Sequence, residues 1–361
     1  MLTIIADENI ANLDDYMAFH NTRIIKLKGR DINQQAIDWY RPHALFIRSV
    51  TPITADTISD FINIRFIGSA TIGTDHVNQD HLNQHGIAFA NAKGCSRHSV
   101  AQYVITAILS LRPEYQNKPA SLGIIGLGNI GSTLAKYAKD LGWHILGYDP
   151  FLAKSDLNNS QLDDLLQNSD IVSIHTPLTK GGDHPTHQLF SKAYLSKLQN
   201  NAMLINSARG EIIHQEDLLT AITQKNLQVV LDVFPDEPNI DKVLLDQLVI
   251  ATPHIAGYTL EGKLRGTDMI YQAFCHHFNL PILQHLKPLL PPNPHTWANF
   301  KYSIHNRPTQ SLKQFYDICQ DDINLRTVGP QGVHAIDFDN LRKNYTLRRE
   351  WVFDDLNSND N

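Results

Sequence analysis

Leu122-Gly-Ile-Ile-Gly126-Leu-Gly128-Asn129-Ile130-Gly131 is the stretch whose reading decides the fold. A short apolar run, Leu122 to Ile125, ends in Gly-x-Gly-x-x-Gly, and a helical pattern follows from Ser132 to Leu141. Glycines also cluster in ordinary tight turns, so the triplet needs context: a strand before, a helix after, and a second strand ending in an acid. Here the second strand, His144 to Tyr148, ends at Asp149. Gly126 permits the sharp turn, Gly128 lets backbone approach a pyrophosphate, and Gly131 lets the helix close on the strand. The free amides and positive dipole end of the helix then hold the phosphates. Asp149 accepts hydrogen bonds from a ribose diol and repels a 2′-phosphate, which favours NAD over NADP.

Outward from this turn the chain alternates strand-length apolar runs with helical segments, the pattern of parallel β-α-β units. Upstream the runs are Leu2–Ala6, Arg23–Leu27, Ala44–Ile47, Ile64–Ile67 and Ile87–Ala90. Downstream they are Leu122–Ile125, Ile145–Tyr148, Ile171–His175, Ala202–Asn206, Val229–Val233 and Val249–Ala251. The expected fold is therefore α/β, two Rossmann-like doubly wound parallel-sheet lobes, with a small α+β C-terminal domain. Long helices are expected over Ser96–Leu111 and Glu261–Phe278, and a further helix over Thr309–Cys319. The proline-rich stretch Pro288–Pro294 marks a linker, and Asp354–Asn361 a polar tail. The expected division is residues 1–95 with 256–284 as a substrate domain, 96–255 as the NAD-binding domain, and 285–361 as the C-terminal domain.

With 361 residues, 42% hydrophobic and 19% charged, the chain reads as a multidomain globular protein. Its formal charge of −6 argues against nucleic acid or an anionic membrane as partner. No apolar stretch reaches transmembrane length and the N-terminus lacks a basic leader, so a cytoplasmic location is expected. Cys95, Cys275 and Cys319 are scattered and lack metal spacing; no metal site is expected, and the thiols read as reduced.

In open α/β sheets ligands lie beyond the carboxyl ends of the strands. Those ends carry Arg48-Ser49-Val-Thr51 and Thr71-Ile-Gly-Thr-Asp-His76 in the first lobe. In the second they carry Asp149, Thr176, Ser207-Ala-Arg209-Gly210, Asp232 with Glu237 beyond it, and His254-Ile-Ala-Gly257-Tyr258. Oxidation of a secondary alcohol by NAD needs a base for the hydroxyl proton, and histidine, with an ordinary pKa near ~6.5, suits neutral pH. It also needs a carboxylate to orient the imidazole and a guanidinium to clamp a substrate carboxylate. His254, Glu237 and Arg209 supply one of each. Taken singly each has a plainer reading, as a helix cap, a loop charge or a turn; among 18 histidines no single one stands out. Together, beside the glycine turn, they form a set. Asp232, at a strand end, suits the nicotinamide carboxamide.

Gly-Leu-Gly-Asn-Ile-Gly, Asn-Ser-Ala-Arg-Gly, Asp-Val-Phe-Pro-Asp-Glu-Pro and Pro-His-Ile-Ala-Gly together resemble the D-isomer-specific 2-hydroxyacid dehydrogenases over roughly residues 45 to 270. The resemblance implies Arg209 and Glu237 as active-site residues and His254 as the acid/base. It implies cofactor contacts at Asn129, Ile130, Asp149, Thr176, Ser207, Asp232 and Gly257, and substrate contacts at Ser49, Thr71 and Tyr258, with Arg48 beside them. Asp7-Glu-Asn9 and His254 to Gly266 match a subgroup with a phosphorylated 2-hydroxy acid substrate and a C-terminal dimerisation domain, so a homodimer is expected. Other family members acting on phosphoglycerate, glyoxylate or lactate, and a non-enzymatic NAD-sensing corepressor scaffold of the same fold, are the alternatives. Ser96-Arg97-His98 and Gln102 depart from the family's usual pattern before and within the long helix.

Overall fold

The computed structural model describes residues 1–306 and 311–353. Thr309 and Gln310 of the expected C-terminal helix, and the expected tail Asp354–Asn361, lie outside the described residues. Contacts divide the chain into two compact units: Met1–Ser96 with Thr259–Pro292, and Arg97–Tyr258 with Asn293–Asn361.

The first unit holds β1 (Leu2–Asp7), β2 (Thr22–Leu27), β3 (Ala44–Ile47), β4 (Phe66–Ser69) and β5 (Ala88–Asn91). They form one parallel sheet in the order β2-β1-β3-β4-β5. Successive side chains point to opposite faces of a strand, and both faces of a parallel sheet are covered. Thus Ile4, Phe46 and Phe66 pack with Tyr271 and Phe274 of the helix Leu260–His277, while Ile5, Leu45 and Ile67 pack with Ile37, Ile58 and Leu82 on the other side. Thr259 starts that helix as an N-cap, its hydroxyl accepting from the Gly262 amide at 3.0 Å.

In the second unit β6 (Ser121–Ile125), β7 (His144–Tyr148), β8 (Ile171–Ile174), β9 (Met203–Asn206), β10 (Gln228–Leu231) and β11 (Ile250–Ala251) form a six-stranded parallel sheet. The order β11-β10-β9-β8-β6-β7 reverses direction between β6 and β8. That switch point opens a crevice at the strands' carboxyl ends, where ligands bind in such sheets. The helix Arg97–Leu111 is buried from His98 through Leu109, which explains its apolar-rich sequence.

Residues from Asn293 onward belong by their contacts to this second unit. They contribute the helices Trp297–Asn306, Ile318–Val328 and Ala335–Lys343, and an antiparallel bridge between Ile240 and Val333. The helix expected to run through Cys319 is broken: Tyr316 is extended, and the Asp317 carboxylate accepts from the Gln320 amide to start a new helix. Asp322 on that new helix accepts from the Ala251 amide at 2.8 Å, closing the open edge of the sheet at β11. At the other end Trp351 stacks on Phe300 at 4.0 Å and 10°, and Trp297 meets Tyr137 of the helix Asn129–Asp140 at 4.7 Å. His98 and Gln102, where the sequence departs from the pattern it resembles, serve this junction. Both bond to the Tyr137 hydroxyl, and the Gln102 amide donates to the Trp351 carbonyl at 2.9 Å.

Candidate active site

The glycine turn sits at the carboxyl end of β6, on the switch point. Gly126 has φ +88°, and a Cβ there would lie 2.8 Å from the His175 backbone. A Cβ on Gly131 would overlap the Gly126 carbonyl, so the helix Asn129–Asp140 closes on the turn only with glycine at that position. Gly128 differs: a Cβ there would meet nothing within 4 Å. Its glycine is not demanded by the protein's own packing, which leaves room for a ligand to approach the backbone. As at any helix start, the first-turn amides of Asn129 and Ile130 lack intrahelical acceptors, and Gly128 at the N-cap supplies no side chain to satisfy them. Asp149 ends β7; its carboxylate accepts from the Leu127 amide at 3.0 Å and the Phe151 amide at 3.1 Å. A carboxylate offers about four acceptor positions, which leaves capacity for a ribose diol. Asn158, absent from the sequence expectations, brackets Asp149 by bonding to its amide and carbonyl.

Across the crevice, Thr176 Oγ1 and Ser207 Oγ are buried with no hydrogen-bond partner among the described residues. Buried hydroxyls lacking partners are rare in native interiors. Unpaired donors lying with the open glycine turn and the ribose-type acid form a donor set that fits a dinucleotide. His175 sits beside them, its Nε2 paired with Ser173 Oγ at 2.9 Å. Burial pushes its pKa down to about 3, so it stays neutral.

At the ends of β10 and β11 the second unit assembles an imidazole and a carboxylate. His254 Nδ1 lies 2.8 Å from Glu237 Oε2, and Glu237 Oε1 accepts from the Phe234 amide at 2.8 Å. Burial acts to raise the Glu237 pKa, but the His254 charge and hydrogen bond, with the Phe234 amide, outweigh it and hold the carboxyl below its ordinary value. His254 has φ +55°, an uncommon region for a residue with a Cβ. Asp232 explains how the backbone keeps that shape. It is 1% exposed and accepts from Thr252 Oγ1 at 2.6 Å, the Ile255 amide at 2.8 Å and the Ala256 amide at 2.9 Å. Burial raises its pKa to about 6 against those donors. With three acceptor positions filled, about one remains for a carboxamide N–H.

Arg209 follows β9. Asn206 shapes its loop, accepting from the Ala208 amide and donating to the Arg209 carbonyl, while Arg209 Nη1 donates to the Ala208 carbonyl at 2.7 Å. Gly210 then passes so close to Phe234 and Pro235 that any Cβ would overlap their backbone, which joins the arginine loop to the Glu237 loop. Tyr258 closes the histidine turn, its amide donating to the Ile255 carbonyl at 2.8 Å across Gly257. The Arg342 guanidinium stands 5.6 Å from the Tyr258 ring and acts on the Glu237 carboxylate. Nothing in the residues around Arg342 marked it, because a C-terminal helix carries it to this place.

In the first unit, Arg48 Nη1 lies 3.9 Å from Asp7, whose Oδ1 also accepts from the Asn9 amide. Ser49 next to it is exposed. Thr71 Oγ1 bonds to Ser69 Oγ at 2.8 Å, and Ser69 in turn to His76 Nε2 at 3.3 Å, so the loop after β4 is internally fixed. Among the described residues no group of three or more His, Cys, Asp or Glu side chains could hold a metal ion. No described helix is long and apolar enough to cross a membrane. All three cysteines are free.

A nucleotide turn at a sheet switch point and an imidazole–carboxylate pair beyond the same sheet define a class, the D-isomer-specific 2-hydroxyacid dehydrogenases. The model of their NAD-binding domain matches residues 107–256. A domain of unknown function (DUF3410) matches residues 289–360. An erythronate-4-phosphate dehydrogenase of Psychrobacter sp. (strain PRwf-1) is 50% identical over 98% of this chain and 100% of its own length. One of Acinetobacter baumannii (strain ATCC 17978) is 44% identical over 97% of this chain and 98% of its own. This chain belongs to the erythronate-4-phosphate dehydrogenase family. The fold is shared with NAD+-bound 3-phosphoglycerate dehydrogenase of Entamoeba histolytica, at TM-score 0.66 and 23% identity over 77% of this chain and 95% of that one. It is shared equally with D-mandelate dehydrogenase of Rhodotorula graminis, at TM-score 0.66 and 23% identity over 78% and 96%.

Proposed function

We propose that the chain oxidises the C2 hydroxyl of 4-phospho-D-erythronate to the 2-oxo acid with NAD, a step of vitamin B6 synthesis. The 2.8 Å contact between His254 Nδ1 and Glu237 Oε2 carries the reading. An ionised carboxylate only accepts, so it draws the imidazole proton to Nδ1 and leaves the Nε2 lone pair for the substrate. Nε2 takes the hydroxyl proton, and Glu237 stabilises the imidazolium that forms. Arg209 presents a planar fork to the substrate carboxylate and polarises the forming carbonyl. NAD, when bound, supplies the acceptor for the hydride leaving C2.

The residues that would hold the cofactor are Gly126, Gly128, Asn129, Ile130, Gly131, Asp149, Thr176, Ser207, Asp232 and Gly257. Ser49, Thr71 and Tyr258 are the proposed substrate contacts, with Arg48 for the distant phosphate. The same reading makes the protein a cytoplasmic homodimer joined through residues after about 285.

Purified protein incubated with NAD and 4-phospho-D-erythronate should form NADH, followed by absorbance. 3-Phosphoglycerate, glycolate and D-lactate, run alongside, should react far more slowly. No turnover of the four-carbon phosphate, with brisk turnover of another, would move the substrate assignment. NAD binding with no turnover at all would favour the corepressor-type scaffold.

A further inference from the structure

The backbone that carries His254 has its polar groups gripped from opposite sides. The amides of Ile255 and Ala256 both donate to Asp232, at 2.8 and 2.9 Å. Their carbonyls face the other way, toward the C-terminal segment. Arg348 Nη2 donates to the Ala256 carbonyl at 2.8 Å, and Nη1 to the Ile255 carbonyl at 3.2 Å. Ser99 Oγ adds a third donor, to the Ala256 carbonyl at 2.7 Å. The peptide between Ile255 and Ala256 is thus held between an anion at its N–H and a cation at its C=O, aligned with its dipole, and the peptides before and after it are each held at one end.

The guanidinium is itself fixed. Nη1 also donates to Tyr345 Oη at 2.9 Å, and the Tyr316 ring lies 4.0 Å beneath the guanidinium carbon. Both tyrosine hydroxyls donate to Asp321, at 2.8 and 2.9 Å, so a carboxylate balances the charge. Tyr345 meets the Tyr258 ring at 6.0 Å, and the Arg348 amide donates to the Tyr258 carbonyl at 3.4 Å. The segment from Tyr345 to Arg348 therefore touches the histidine turn at 255, 256 and 258.

We propose that Arg348 is a positioning residue for His254: its guanidinium, carried by the C-terminal segment, locks the 255–256 backbone and thereby the direction of the imidazole. This rests on His254 as the proton acceptor. A residue with φ +55° has neighbouring conformations of lower backbone energy. Opposed hydrogen bonds at the next two residues, Ile255 and Ala256, keep it from relaxing into them. A base displaced by about 1 Å loses about 10²-fold in rate, so the grip on the turn bears on turnover, while the bonds of Arg348 itself go to Ile255, Ala256, Tyr258 and Tyr345 and not to the residues proposed to hold the cofactor.

The test compares Arg348→Met, Arg348→Lys and Ser99→Ala with the native chain, each alone and with His254→Ala. It reads kcat for 4-phospho-D-erythronate, NAD affinity by protein fluorescence, and backbone hydrogen exchange of residues 252–258 in the protein without cofactor. Arg348→Met should lower kcat about 10- to 100-fold, keep the NAD Kd within about two-fold, and speed exchange over 252–258. Arg348→Lys, with one cationic donor group in place of the fork, should fall between. With His254 already Ala, the Arg348→Met change should lower the residual rate no further, because residues acting as one unit are not additive. Unchanged kcat in Arg348→Met, or an equal loss in the His254→Ala background, overturns the proposal. If Arg348→Met does not fold, native kcat and exchange in both Ser99→Ala and Arg348→Lys overturn it. Full activity in His254→Ala alone would instead remove the base assignment.

Discussion

At the scale of single residues the proposed chemistry depends on which nitrogen of His254 bears the proton. Glu237→Gln keeps the shape, but its amide N–H can donate to Nδ1 and so move the ring proton to Nε2, the wrong tautomer for a base. A loss in kcat of about 10²- to 10⁴-fold is expected, with NAD affinity unchanged. His254→Ala should cost about as much in steady-state turnover and also spare NAD binding. Stability should report the same pair. The Glu237 carboxyl is held below its ordinary value by His254 and the Phe234 amide in spite of burial. A depressed carboxylate stabilises the fold above the unfolded value, near ~4.3 for Glu, and that stability is lost as pH falls through the lower folded value. Melting curves should therefore show Glu237→Gln less stable than the native chain at neutral pH, with the gap closing below about pH 4. A gap independent of pH would mean that the ion pair is not its source.

Among the elements, the strand-turn-helix around β6 separates two kinds of glycine. Gly131 is required by contact with the Gly126 carbonyl, whereas Gly128 faces open space. Gly131→Ala should lower both the melting temperature and NAD affinity. Gly128→Ala should leave the melting temperature within about 2 °C of native, since backbone in the allowed region tolerates a methyl, yet weaken NAD binding about 10-fold or more. Calorimetry of folding and of NAD binding on the two variants checks this. Equal behaviour would show that the space at Gly128 is not the cofactor's. The strands themselves were legible because apolar runs of three to five residues, bounded by polar turns, have few other uses in an α/β chain. The C-terminal helices were less so: one side-chain cap, Asp317, breaks what periodicity reads as continuous.

For the molecule as a whole, the C-terminal residues complete the nucleotide-binding unit. Trp297, Phe300 and Trp351 pile against Tyr137, and Trp297 Nε1 bonds to Asp140 at 2.6 Å, both on the helix that opens with the glycine turn. Trp351→Ala should cost about 3–5 kcal/mol of stability, the usual loss for a large aromatic removed from a core. Ending the chain at Pro292 should expose that apolar face, giving aggregation and loss of NAD binding, measurable by light scattering and titration. Intact NAD affinity in a soluble truncated protein would show that the segment is an appendage.

Residue types and their spacing carried the two sheets and the dinucleotide turn, and they are the ground for proposing Asp149 and the trio of Arg209, Glu237 and His254, because each is local chemistry at the end of a strand. Folding decided the rest. Which lone pairs are already used at Asp232, why Gly210 cannot bear a side chain, and how Arg342 and Arg348 reach the histidine turn depend on groups separated by tens of residues. Sequence periodicity reports which face of an element is buried, not what lies against it, and these partners meet only when the chain closes.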